Sequence, residues 1–217
     1  GTAAFGTDSP CLVPPSGGYT GLENQLYRIQ IHQGGAPGTA SFVWSRDDAS
    51  VVAGITQIVG PTTLVVDSLG KDAVLGFHAG DWVEVLDDRL ELNGQPGELH
   101  RIAVGDGVDS ATRRITLETP LAGSFVAGVN HLRLVRWDQS GQVLRTDTVT
   151  PSLYLDLDAV GATGDIPVPA DGTVTIALET GIVASFDLAS ADGQFRSGDA
   201  WLFAARASTA SIEVLAK

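Results

Sequence analysis

The segment Asn24-Gln-Leu-Tyr-Arg-Ile-Gln-Ile-His32 decides the fold class of this chain, because its polarity alternates with a period of two residues. Tyr27, Ile29 and Ile31 fall on one side of an extended backbone, and the polar residues between them fall on the other. This alternation is typical of a strand with one buried face and one solvated face. Residues 24–32 are therefore predicted to form a half-buried β-strand.

Segments of similar character recur along the chain at short intervals, separated by turn formers such as Gly, Asp and Pro. The further predicted strands are 40–45, 50–58, 62–67, 81–86, 99–104, 113–118, 131–137, 142–145, 152–158, 173–178, 182–188, 201–206 and 211–215. One turn of helix is predicted near Asp87–Asn93, where paired aspartates would cap the start. The fold class is therefore predicted as all-β, a sandwich or barrel-like arrangement with very little helix.

The predicted domain organisation is two packed β subdomains after an extended lead-in. Residues 1–18 form the lead-in, 19–137 the first subdomain and 138–217 the second. In support, Ile115–Phe125 aligns without gaps to Ile176–Phe186 with six identities in eleven positions. A Gly-Asp pair also precedes a predicted strand in each half. The alternative is chance similarity, because strands draw on a small set of residue types.

Composition excludes several partners. The chain has 26 acidic and 13 basic residues and a formal net charge of −13, which argues against sequence-independent binding to nucleic acid or anionic lipid. Its apolar runs are far shorter than the ~20 residues of a membrane span, so membrane insertion is not expected. Other protein subunits or the rest of its own chain are the expected partners. Whether it acts in a cytoplasmic assembly or an extracellular particle stays open.

Two residue counts bear on processing. The single Cys11 cannot form an internal disulfide. The 217 residues contain no methionine, so we expect them to be a piece of a longer natural chain.

The densest polar and aromatic cluster lies at Phe42–Asp48 and is the candidate ligand site. Trp44 could stack on a sugar or planar ligand while Arg46 and Asp47 hydrogen-bond around it, with Tyr154 as a further contact. This hypothesis predicts a carbohydrate-binding module. The competing interpretation is that Trp44 fills the core and Arg46 pairs with a nearby acid to fix the turn.

Two groups of carboxylates offer other chemistries. Glu84 with Asp87 or Asp88 could act as acid and base on a glycosidic bond, if they share a cleft. The ordinary interpretation is a solvated turn with helix-capping aspartates. Asp156 and Asp158 would share one strand face, an arrangement compatible with calcium, although the full calcium-loop pattern is absent. Zinc, phosphate-loop and dinucleotide motifs do not occur in the sequence, so no other cofactor is predicted.

The sequence resembles a family of uncharacterised bacterial proteins that share a domain of unknown function. The resemblance rests on the segments Gly18–His32, Phe42–Asp48, Gly80–Asp88, Gly97–Ile102, Leu178–Ile182 and Arg196–Leu202. This chain departs from the family pattern at Val43, Asp48 and Ala49, where lysine, asparagine and glycine are expected. The family has no established catalytic residues to carry over.

Some members of that family appear alongside phage-tail-like and contractile-injection gene sets. The resemblance therefore implies a structural or adhesive role on a particle. We therefore expect a non-catalytic structural or binding module of a larger bacterial protein. The alternatives are a carbohydrate-binding module or, less favoured, a glycoside hydrolase or lyase domain.

Overall fold

The computed structural model describes residues 19–72, 75–186 and 194–207, and the backbone of 211–212. In chain order its strands are β1 (Gln25–Ile31), β2 (Ser41–Ser45), β3 (Val52–Gly60), β4 (Thr63–Val66), β5 (Trp82–Leu86), β6 (Glu98–Arg101), β7 (Val108–Asp109), β8 (Arg114–Thr116), β9 (Arg133–Trp137), β10 (Gln142–Arg145), β11 (Ser152–Asp156), β12 (Ile166–Pro167), β13 (Ile176–Ala177), β14 (Val183–Ala184), β15 (Ala200–Arg206) and β16 (Ser211–Ile212). The described helices are α1 (Asp88–Leu92) and a three-residue 3-10 turn at Asp47–Ala49. The predicted all-β fold with very little helix is confirmed. The predicted lead-in, 1–18, lies outside the described residues.

The chain divides into two compact units that are not contiguous in sequence. Of the described residues, the first contains 19–48, 140–162 and those from 166 onward, and the second contains those of 49–139 and 163–165. The sequence-based boundaries, 19–137 and 138–217, would instead group β1 and β2 with the strands of the second unit. The two divisions differ because β1 pairs with β15 and β2 pairs with β12, both far along the chain.

The first unit consists of two sheets on a common core. One sheet has the order β12-β2-β1-β15-β16 and the other β11-β10-β13-β14. Tyr27, Ile29 and Ile31 all point into this core, as the alternation of residues 24–32 predicts. Val143 and Ile176 of the second sheet belong to the same buried cluster. Two sheets that share one apolar layer are the arrangement of a β-sandwich.

The second unit is a single seven-stranded sheet of order β6-β5-β9-β3-β4-β8-β7. The sheet curls, because Ile102, just after β6, forms an isolated bridge to Leu117, just after β8. Both side chains are buried in a separate apolar cluster that also includes Val83, Ile115 and Leu134. Curling covers one face of the sheet with its own side chains, as in a half-open barrel.

Residues 163–165 belong to the second unit because Gly164 packs against Trp82 of β5. Its backbone has φ +89°, and a Cβ at this position would collide with the indole ring of Trp82. The Gln139 side chain donates to the Gly164 carbonyl at 3.0 Å. Glycine is therefore required here for both its conformation and its close approach to an aromatic ring.

Each unit contains the same Gly-Asp turn. Gly80 and Gly198 both have φ +89°. Gly80 N–H donates to the Ile102 carbonyl and Gly198 N–H to the Ile31 carbonyl, each at 2.9 Å. The following aspartate then leads into a strand, β5 or β15. β5 pairs with β6, which ends next to Ile102, and β15 pairs with β1, which carries Ile31. The paired Gly-Asp sequences thus form equivalent local structures.

Candidate functional site

The polar centre of the first unit is Glu179, which ties two strands to a turn. Its Oε1 accepts a hydrogen bond from the Tyr27 hydroxyl on β1 at 2.8 Å. The Arg46 guanidinium, just after β2, donates from Nε to Oε1 at 2.5 Å and from Nη2 to Oε2. This two-point pairing of guanidinium and carboxylate is the stronger, geometrically specific form of ion pair. We call Tyr27, Arg46 and Glu179 the Glu179 centre.

Burial shapes the electrostatics of this centre. Tyr27 is almost completely buried. Its pKa is raised far above the ordinary value, chiefly by burial and additionally by the adjacent Glu179 carboxylate. The phenol therefore stays neutral and acts as a hydrogen-bond donor, which a carboxylate acceptor requires.

The turn that carries Glu179 is strained at the next residue. Thr180 has φ +43°, a left-handed conformation that β-branched residues rarely adopt. The turn is held by Ile182 N–H donating to the Glu179 carbonyl at 2.7 Å and by Thr20 N–H donating to the Thr180 carbonyl at 2.9 Å. Its surroundings thus fix the unusual backbone in place.

Of the four predicted ligand residues, Arg46 belongs to this centre, Trp44 packs against it and Asp47 follows Arg46 in the chain, but together they do not form an open stacking site. Trp44 is only 4% exposed and belongs to the first unit's core. Its ring lies 6.2 Å from that of Tyr27, and the Arg46 guanidinium carbon lies 6.0 Å from its centroid. Asp47 is exposed and has φ +50°. A sugar could stack on Trp44 only if the core around it opened.

Tyr154, the fourth predicted ligand residue, lies on β11. Its hydroxyl donates to the Pro167 carbonyl at 3.0 Å. Burial raises its pKa. The contact ties β11 to β12, which belongs to the other sheet of the unit.

Glu84 is the polar centre of the second unit and is only 3% exposed. Its Oε1 accepts from the Gly97 backbone N–H at 2.8 Å, and its Oε2 accepts from the Trp137 indole N–H at 3.0 Å. A Cβ at Gly97 would lie 2.7 Å from the Glu84 side chain, so only glycine allows this approach. We call Glu84, Gly97 and Trp137 the Glu84 centre.

Asp87 and Asp88 have partners of their own. Asp87 caps α1, its Oδ1 accepting from Leu90 N–H at 3.0 Å, which matches the predicted helix start. Asp88 pairs with Arg133 at 3.1 Å and with His131 at 2.5 Å. The bond from His131 lowers the pKa of Asp88, and Arg133 adds to this effect. The structure thus gives Glu84, Asp87 and Asp88 separate structural contacts.

The calcium hypothesis places Asp156 and Asp158 on one strand face, but β11 ends at Asp156. Asp156 Oδ1 accepts from Asp158 N–H at 2.9 Å, which closes a turn. Within the described residues, no group of three or more His, Cys, Asp or Glu side chains could hold a metal ion. Calcium binding stays a prediction.

A second polar cluster in the second unit centres on Glu98 and His100 of β6. The buried His100 has Nδ1 2.8 Å from the Thr119 hydroxyl and Nε2 3.3 Å from Glu98 Oε2. The same Glu98 oxygen accepts from Ala122 N–H at 2.9 Å. Burial lowers the pKa of His100 despite the nearby carboxylate. A neutral imidazole with hydrogen on Nε2 fits both contacts.

Glu98 also lines a pocket of about 490 Å³. Its walls are Arg89 and Leu90 of α1, Pro96, and Gly123 to Phe125 of a surface loop. We call it the Glu98 pocket. It combines apolar walls with one acidic and one basic side chain.

Sequence reasoning did not select Tyr27, Glu179, Glu98 or His100 as polar centres. One signal for Glu179 was present, because the resemblance includes Leu178–Ile182 and the internal similarity includes Glu179. The partners of Glu179 are more than 130 positions away in sequence, so local pattern could not connect them.

Fold and polar centres together define an all-β protein of two units, each with a glutamate, buried at Glu84 and partly buried at Glu179, that fastens strands to a turn or loop. The chain belongs to a family of unknown function, DUF6519, whose model matches residues 2–214. This confirms the predicted membership of an uncharacterised family. No curated protein and no solved structure matches the chain.

In the described part of the chain, no helix has the length and apolar character to cross a membrane.

Proposed function

We propose that this chain is a non-catalytic structural module of a larger protein, and that the larger assembly is a phage-tail-like particle. The observation that carries the first part is the use of its glutamates. In the Glu179 and Glu84 centres, both carboxylate oxygens accept hydrogen bonds from the protein itself. An acid–base catalyst needs a carboxylate that reaches the substrate and exchanges protons with it.

The two centres instead perform a mechanical task. Each holds a turn or irregular segment against strands from distant parts of the sequence. The surface formed by that segment therefore has a fixed shape, which regular strands alone would not provide. A rigid surface suits a subunit that must fit its neighbours repeatedly. The proposal of a phage-tail-like particle is supported by the resemblance to a family in which some members appear alongside phage-tail-like gene sets.

The proposed assembly role predicts that the full natural chain, produced with its neighbouring gene products, forms a stable complex. Size-exclusion chromatography with multi-angle light scattering would measure its mass. A monodisperse monomer in the presence of those partners would contradict the proposal.

Matched variants of two glutamates test whether the Glu179 carboxylate contributes to stability. Glu179 and Glu118 occupy the same position in the two similar segments, but Glu118 is exposed. We expect Glu179→Gln to lower the free energy of unfolding by about 1–3 kcal/mol, less than the roughly 3–5 kcal/mol of a fully buried ion pair, because Arg46 is partly exposed. We expect Glu118→Gln to change it by less than about 0.5 kcal/mol. Equal effects in urea titrations would argue against a structural role for Glu179.

A further inference from the structure

The Glu98 pocket holds a carboxylate that is oriented but not fully used. Ala122 N–H and the His100 imidazole both address Oε2 of Glu98. Its Oε1 accepts no hydrogen bond from the part of the chain that the structure describes. The side chain is 24% exposed. One oxygen thus fixes the side chain while the other keeps its capacity for a donor.

Gly123 creates the space beside that oxygen. A Cβ on Gly123 would lie 2.6 Å from Glu98 Oε1 and 3.2 Å from the Phe125 ring. Because glycine has no side chain, the carboxylate oxygen and the aromatic ring border the same opening. A carboxylate next to an aromatic ring is a favourable environment for an ammonium group.

The pocket also carries a positive charge at Arg89. Its side chain is 50% exposed, and its Nε lies 3.7 Å from Asp87 Oδ2, a distance too long for a good hydrogen bond. The terminal nitrogens of Arg89 make no hydrogen bond to the described residues. A guanidinium with free donors binds a carboxylate well.

We propose that the Glu98 pocket binds a small zwitterion with an apolar side chain, either a free amino acid or a dipeptide. The ammonium group binds Glu98, the carboxylate binds Arg89, and the side chain lies against Leu90, Pro96 and Phe125. A purely cationic ligand would face Arg89, and a purely anionic one would face Glu98 and a chain of net charge −13. The pocket volume of about 490 Å³ falls within the range of small-ligand sites, about 300–1,000 Å³. This site does not depend on the proposed assembly role.

The test titrates four probes into the intact chain and follows them by calorimetry and by amide chemical shifts. They are L-phenylalanine, L-phenylalaninamide, which lacks the carboxylate, N-acetyl-L-phenylalanine, which lacks the ammonium, and the dipeptide L-leucyl-L-phenylalanine. We expect L-phenylalanine or the dipeptide to bind, and their relative affinity identifies the natural class. Each singly charged analogue should bind at least about tenfold more weakly, through loss of one charge-assisted contact.

Three variants locate the binding. Glu98→Gln keeps an oxygen for Ala122 N–H, and Arg89→Gln removes the guanidinium, so each should weaken zwitterion binding at least about tenfold. Gly123→Ala should weaken it by filling the space beside Oε1. Glu118→Gln and Arg114→Gln, both exposed on or beside β8, are the matched controls and should bind like the parent. Circular dichroism checks that each variant is folded.

The proposal is overturned if neither zwitterion binds below about 10 mM, a limit that corresponds to very weak affinity. It is also overturned if the singly charged analogues bind as well as L-phenylalanine. Unchanged binding in folded Glu98→Gln and Arg89→Gln would equally exclude this pocket as the site.

Discussion

At the scale of single residues, the left-handed backbone at Asp47, Asp48 and Ala49 stands out. All three have φ between +50° and +55°. This left-handed conformation costs a residue other than glycine about 1–2 kcal/mol. Asp tolerates this region better than most residues. Ala49 lacks that tolerance, and it is also a position where the resemblance leads us to expect glycine.

We predict that Ala49→Gly raises the free energy of unfolding by about 0.5–1 kcal/mol. Relief of the left-handed conformation exceeds the extra chain entropy that glycine brings to the unfolded state. Chemical denaturation measures the difference. Ala111→Gly, at an exposed residue outside the left-handed region, should instead destabilise the protein. A loss of stability in both variants would contradict the argument.

His100 makes stability depend on pH. Because burial lowers its pKa in the folded state, the unfolded chain takes up a proton near pH 6.5 that the folded chain resists. Stability should therefore fall as the pH drops below about 6.5. In His100→Gln, which cannot titrate, the fall between about pH 7 and pH 5 should be smaller. Urea titrations across this range measure the free energy of unfolding of parent and variant. An identical change with pH in both proteins would show that His100 is not the group responsible.

The local sequence pattern predicts which side chains are buried, but not which residues they contact. The inward direction of Tyr27 follows from alternation alone. That its hydroxyl meets Glu179 depends on a fold that brings residues 27 and 179 together. Likewise, the composition around Trp44 left open whether the indole is exposed to a ligand or fills the core, and it lies in the core because β2 is buried along its whole length.

At the scale of elements, the Gly-Asp turns of the two units have the same geometry at both glycines. Since their φ is +89°, alanine is strained there whatever the surrounding space. We predict that Gly80→Ala and Gly198→Ala each lower the free energy of unfolding by about 1 kcal/mol or more. Gly60→Ala is the control, because Gly60 also has open space around it but no left-handed backbone. Thermal denaturation of the three variants would show whether conformation or crowding determines the effect.

Elements with a strong sequence signal were predicted closely, and weak ones were missed. The capped helix α1 lies within the predicted Asp87–Asn93. The two-residue strands β7 and β12 were not predicted, because so short a pairing leaves no periodic pattern. β13 and β14 are shorter than predicted, and residues 187–188 of the predicted strand 182–188 lie outside the described residues.

At the scale of the whole molecule, residues 49–139 form an insertion into the first unit. The two ends of the insertion are adjacent, because Val52 pairs with Val135 and Arg136 N–H donates to the Val51 carbonyl. Adjacent ends and a separate core are the properties of a segment that folds independently.

We therefore predict that a fragment of residues 49–139 is folded, with dispersed amide resonances and protected amides in β5 and β9. The matched fragment 140–217 should remain unfolded, since it lacks β1 and β2, which pair with β15 and β12. Hydrogen exchange followed by NMR distinguishes the two. A folded 140–217 would favour the contiguous boundary near residue 138 instead.

The pairing of β1 with β15 also determines the order in which the chain can fold as it leaves the ribosome. Gln25 is synthesised about 180 residues before its partner Ala205, which corresponds to a delay of about 10–35 s at ordinary translation rates. During that interval the inserted unit can complete its sheet, while the apolar face of β1 waits for its partner. Synthesis therefore allows the second unit to fold first, and the first unit completes its sheets only after β15 has been made.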